Sequence, residues 1–211
     1  MNAVTLYKFR TLDRFEFILD IIVNKRLYAA TFESMNDPME GFYTYGSDIP
    51  SEALAALESH KSSLRFCSLA KYSNNPLMWA HYADGNRGIA IGVELDESAD
   101  LREVNYESQS NLIASVPTTL ERAKNVLSCK ASYWHYEEEI RVFAQTGNFI
   151  PLQVKEIIFG EKADDAQKAL LKAIVQAIDP SIKLKDWTED MYYCDVTPVY
   201  NLNVRQESHD V

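Results

Sequence analysis

The segment Gly88-Ile89-Ala90-Ile91-Gly92-Val93-Glu94-Leu95 constrains this chain more than any other. Its apolar and β-branched residues, with small ones between them, have the pattern of a central strand. Shorter runs at 4–9, 26–31, 64–69, 101–106, 138–143 and 154–159 read as further strands, with less regular candidates at 182–187 and 195–200. Between them lie helical patterns. Phe15, Ile18, Leu19 and Ile22 fall on one face of an amphipathic helix ended by Asn24, with Asp13 and Glu16 at capping-box spacing. A second helix spans 51–61 on Leu54 and Leu57, and Pro76 suits the first turn of a short one, closed by Asp84-Gly85. Leu120, Ala123, Val126 and Leu127 share a face in 118–130, and a last helix over 166–178 stops at Asp179-Pro180. Strands and helices follow one another irregularly, which argues against a regular βαβ repeat. The expectation is an α+β single domain, with a mixed, mostly antiparallel sheet packed against four or five helices.

At 211 residues the chain suits one domain, large enough to hold together without metal or disulfide. A net charge of −10 argues against a broad nucleic-acid or anionic-membrane surface, while leaving room for a local basic pocket. Cys67, Cys129 and Cys194 are far apart and lack metal-ligand spacing, so free thiols and no metal site are expected. No basic-then-apolar leader follows Met1, and no apolar stretch reaches the length of a membrane span. A cytoplasmic protein is the expectation.

Four constellations are candidates for chemistry. The densest runs from Lys130 through Tyr133-Trp134-His135-Tyr136-Glu137-Glu138-Glu139-Ile140-Arg141. Read as a strand, it sets Glu137, Glu139 and Arg141 on one face. Three adjacent carboxylates repel, so the fold must bring cations, hydrogen bonds or solvent to them. In a pocket, Glu137 or Glu139 could orient a ribose hydroxyl or accept a proton; on a surface they would form a solvated edge. In Met78-Trp79-Ala80-His81-Tyr82, Trp79 and Tyr82 could stack on a planar ligand with His81 as donor or base, or all three could be structural. Asn36-Asp37-Pro38-Met39-Glu40 could contact a ligand or tighten a turn. Tyr7-Lys8-Phe9-Arg10 puts two cations on one strand face, for an anionic ligand or for the glutamates. No phosphate-binding loop, dinucleotide fingerprint, nucleophile elbow or HExxH is present.

These segments, in this order, resemble the bacterial family known as domain of unknown function 2971. The resemblance rests on Leu6-Tyr7-Lys8-Phe9, Phe32 with Asn36-Asp37-Pro38-Met39-Glu40, Phe66-Cys67-Ser68, and Met78-Trp79-Ala80-His81-Tyr82-Ala83-Asp84. It continues through Arg87-Gly88-Ile89-Ala90-Ile91-Gly92, Lys130, the tryptophan-tyrosine-glutamate string from Trp134 to Arg141, and Ile157-Ile158-Phe159-Gly160. Met39 stands where the family more often has phenylalanine. The layout is also similar, more distantly, to ADP-ribosyltransferase folds, which implies NAD as the dinucleotide bound. That similarity puts Arg10 or Lys8 near phosphates or ribose, Tyr82 or Trp79 on nicotinamide, and Glu139 or Glu137 on the ribose hydroxyl. Asn36, Asp37, Glu40, Trp134, Tyr136 and Arg141 complete the expected ligand surroundings. The expected function is a small-molecule or nucleotide-handling enzyme in bacterial stress or phage defence; the alternative is a non-catalytic ligand- or protein-binding module.

Overall fold

The computed structural model describes residues 4–106, 110–112 (backbone only) and 117–188. The first half holds β1 (Leu6–Arg10), α1 (Phe15–Asn24), β2 (Arg26–Tyr28), β3 (Tyr43–Tyr45), α2 (Ser51–Ser63), β4 (Phe66–Ala70) and α3 (Pro76–Tyr82). Next come β5 (Ile89–Glu94), β6 (Asp100–Glu103), β7 (Ser110–Leu112), α4 (Leu120–Val126) and β8 (Glu139–Phe143). The last are β9 (Phe149–Pro151), β10 (Gln153–Phe159), α5 (Asp165–Ile178) and β11 (Lys183–Asp186). Two 3-10 turns, Phe32–Ser34 and Ser132–Glu137, complete the described elements. The expected strand at 195–200 and Cys194 lie outside the described residues.

One sheet runs β11-β10-β5-β1-β4-β8-β6, antiparallel throughout except between β10 and β11. The strand at 88–95 is therefore central, as its composition demands. Alternation sends its residues to opposite faces. Ile89, Ile91 and Val93 join Leu6, Leu69, Val142 and Ile157 under Ile18 and Ile22 of α1 and Leu171 and Val175 of α5. On the other face Phe9, Ala70, Ala90 and Ile158 pack against Met78, Trp79 and Ala83, in and just after α3. A third cluster sets Phe66 and Phe143 beneath Leu57, Val126 and Leu127. The result is the expected α+β domain. No helix among the described residues is long and apolar enough to cross a membrane.

Several local expectations are corrected. Asp13 does not cap α1: Thr11 Oγ1 donates to its carboxylate, and the cap residue is Arg14, whose side chain makes no capping bond. The helix expected over 118–130 is only Leu120–Val126, capped by Thr119, whose side chain accepts from the Arg122 amide. The strand expected over 26–31 contracts to three residues paired with β9. Strands β3, β7 and β9, three residues each, carry too little pattern to be seen in sequence.

Two features of this frame create the site. Strands β1 and β5 share five partnered positions, as do β4 and β8, but β1 and β4 share one, Tyr7 with Ala70. Beyond it the two strands part, and the Lys8 ammonium reaches across to the Ser68 carbonyl at 2.8 Å. Secondly, α3 is turned back into β5 by Asp84, Gly85 and Asn86, all at positive φ, a conformation that Gly, Asn and Asp tolerate best. Gly88 then passes so close to β1 that a Cβ there would strike the Arg10 carbonyl oxygen and the Ala83 backbone. Gly88→Ala is expected to lower stability by about 1–3 kcal/mol through overpacking. Urea unfolding checks it; a loss within experimental error would mean that α3 is not tightly held there.

Candidate functional site

The site is assembled around a buried guanidinium. Arg141 and Glu139 are two apart on β8 and therefore share a face, opposite Ser68 and Ala70 of β4. Arg141 is 1% exposed and Glu139 3%. Arg141 Nε donates to Glu139 Oε1 at 2.8 Å, while Nη1 and Nη2 fork onto the two Glu40 oxygens at 2.5 and 2.8 Å. Nη1 also meets the Leu127 carbonyl at the end of α4. Charges buried this deeply are tolerated only when paired and fully hydrogen-bonded. Burial alone would raise the Glu139 carboxyl, but Arg141 and then Lys130 hold it down at about 2. Arg141 is raised in turn, its two carboxylates outweighing the cost of burial.

Glu137 is placed differently from the sequence-based expectation. It ends the 3-10 turn, and Glu138 takes a left-handed conformation (φ 40°) before β8 begins. Glu137 is therefore not on the strand face, yet it reaches the same spot because Lys130 bridges the carboxylates, at 2.5 Å to Glu137 Oε2 and 3.3 Å to Glu139 Oε2. The Tyr82 hydroxyl donates to Glu137 Oε1 and accepts from Asn36 Nδ2 at 3.2 Å. Burial raises the Glu137 carboxyl above its usual range despite Lys130. Burial and the bond to Glu137 raise Tyr82, so its phenol stays protonated and remains a donor.

Helix α3 is docked on this turn by one side chain. Asn75 Oδ1 caps α3 by accepting from the Leu77 amide at 2.9 Å, and Asn75 Nδ2 donates to the Tyr136 carbonyl at 2.5 Å. His81 Nδ1 and the Tyr136 hydroxyl share a hydrogen bond of 2.8 Å. The aromatic helix and the glutamate segment thus meet.

Where they meet, the parting of β1 from β4 opens a cavity of about 480 Å³. Of the residues singled out in the sequence, Tyr7, Lys8, Arg10, Asn36, His81, Tyr82, Glu137 and Glu139 line it. Six do not. Trp79 is core, 1% exposed, packed edge-on against Phe9, with its indole N–H given to the Ser73 carbonyl. Asp37 is buried and tightens its turn by accepting from the Met39 amide. Glu40 and Arg141 hold each other behind the cavity, and Trp134 and Tyr136 stand beside it. Lys130 and Ser68 line the cavity and were not picked out as site residues. For Lys130 the signal was available: three adjacent glutamates require cations, and after Arg141 the nearest in sequence is Lys130.

The cavity is electrically divided. Lys130 is committed to Glu137 and Glu139. Lys8 and Arg10 have no carboxylate within ion-pair distance among the described residues, and the buried Arg10 Nε has no hydrogen-bond partner. Burial lowers both. Tyr7, whose hydroxyl donates to Glu156, is pushed up to about 12 by burial and that carboxylate. An anionic group would meet two uncompensated cations, and a hydroxyl group would find the Glu137 carboxylate. No His, Cys, Asp and Glu cluster among the described residues is arranged to hold a metal.

Arg141→Met leaves Glu40 buried without its cation and Glu139 with Lys130 alone, so a loss of about 3–5 kcal/mol is expected. Denaturant unfolding measures it, and a loss below about 1 kcal/mol, the level of a surface pair, would contradict this role. Comparison with protein-family models, curated proteins and solved structures finds no match for this chain.

Proposed function

We propose that this protein is a nucleotide-handling enzyme that transfers or hydrolyses an ADP-ribosyl group, and that it belongs with the family it resembles in sequence. One observation carries the reading: a single cavity holds two uncompensated cations, Lys8 and Arg10, together with a buried carboxylate, Glu137, whose affinity for protons is raised. Phosphate and ribose hydroxyl groups are the natural complements of those two features. NAD would supply both. Lys8 and Arg10 would receive its phosphates, and the Arg10 Nε, buried without a partner, is the kind of donor that such an oxygen satisfies.

In this reading Glu137, not Glu139, faces the chemistry. Glu139 is locked by Arg141 and Lys130 and stays ionised behind it. Glu137 would accept a hydrogen bond from a ribose hydroxyl and oppose the positive charge that develops at the anomeric carbon as the glycosidic bond breaks. Lys130 and Tyr82 hold its carboxylate in place without using all its acceptor positions. Those same two bonds also favour a second reading, a non-catalytic module that only grips the ligand.

Glu137→Gln separates the two. With NAD and chromatographic detection of released nicotinamide, an enzyme is expected to lose about 100-fold or more in turnover while keeping its fold. A binder shows no turnover in either form and only a shift in affinity. In the wild-type enzyme, activity should fall on acidification as Glu137 gains a proton, at a pH above the ordinary glutamate range. Absence of both turnover and binding removes the proposal.

A further inference from the structure

A track of aromatic rings leads out of the cavity beside Glu137. Tyr82 packs edge-on against His81 with ring centroids 6.3 Å apart, and His81 edge-on against Tyr136 at 5.5 Å. Tyr136 then lies 6.1 Å from Trp134, and Trp134 5.7 Å from Tyr133, both pairs tilted. None of these neighbours stacks face to face; the pairs meet edge-on or tilted. Exposure alternates along the track: Tyr82, Tyr136 and Trp134 are partly buried, while His81 is exposed and Tyr133 is 65% exposed. A purely structural aromatic cluster would bury its rings, as Trp79 and Phe9 do in the core.

The track is also wired to the carboxylates. Lys130, which holds Glu137 and Glu139, sits 4.8 Å above the Trp134 ring. His81 is fixed by its bond to the Tyr136 hydroxyl, and the turn carrying Tyr136 is fixed to α3 by Asn75. Rings held in place in this way lose little freedom when a ligand stacks on them.

From this arrangement we infer that the His81–Tyr136 rim is a stacking subsite for a heteroaromatic base. The substrate is then a nucleotide with its anionic end at Lys8 and Arg10 and its base at the mouth, rather than a bare sugar phosphate. The inference rests on the proposed function, because it takes the same cavity to hold the phosphate and the sugar.

The test compares adenosine 5′-monophosphate with ribose 5-phosphate, which lacks only the base, by calorimetric titration of the full chain. Stacking predicts that the nucleotide binds about tenfold more tightly. His81→Ala and Tyr136→Ala should each reduce that ratio towards one, and His81→Phe, which keeps a ring, should preserve it. Circular dichroism verifies that each variant is folded, and the exposed position of His81 makes its variants safe should Tyr136→Ala unfold. Equal affinities in the wild-type protein would overturn the stacking subsite while leaving the cavity reading intact. A ratio that survives both alanine variants would also overturn it, since the base would then bind elsewhere. Failure of both ligands to bind would overturn the inference together with the reading beneath it.

Discussion

The buried guanidinium of Arg141 is the interaction on which the rest of the arrangement depends. It joins three segments far apart in the chain: the turn ending at Glu40, the end of α4 at Leu127, and β8 at Glu139. From Glu139 an alternating series continues through Lys130 to Glu137, then through the Tyr82 hydroxyl to Asn36. The turn 36–40 is therefore tied at both ends, by Asn36 to α3 and by Glu40 to β8. Buried ionic groups of this kind add little net stability over apolar packing, but they strongly disfavour any arrangement that breaks one pair. Their effect is to hold one geometry.

That geometry puts unlike environments a short way apart. The same pair of strands that brings Lys8 and Arg10 to the cavity fails to continue its ladder, so the sheet gives up backbone pairing where it gains an opening. The whole chain carries a charge of −10, yet the cavity holds two cations, Lys8 and Arg10, with no carboxylate within ion-pair distance among the described residues. An acidic exterior with a local basic lining selects for small anionic ligands over polyanions. Glu137, raised by burial, and Glu139, held down by Arg141, show how two nearby carboxylates are given different protonation behaviour by their surroundings alone.

Much of the frame was legible in the residues. The apolar spacing in α1, the Asp179-Pro180 stop after α5, the proline at the start of α3, and the β-branched run of β5 are local signals, and each reports directly on burial or on where an element begins or ends. The candidate site was legible in composition but not in geometry. A period-two reading put Glu137 on the strand with Glu139, because nothing local announces the left-handed Glu138 that ends the 3-10 turn. Trp79 could be read as a stacking residue or as core, and its packing against Phe9 decides for core. Glu40 and Arg141 stand 101 residues apart, and no spacing rule could pair them.

The central claim is that one cavity, between β1, α3 and the segment 130–139, receives an anionic nucleotide. Amide hydrogen exchange with and without ADP-ribose tests it most directly. Slowed exchange confined to residues around 7–11, 78–82 and 130–139 is the predicted result. Unchanged exchange at saturating ligand, or protection only on the α1–α5 side of the sheet, would contradict it.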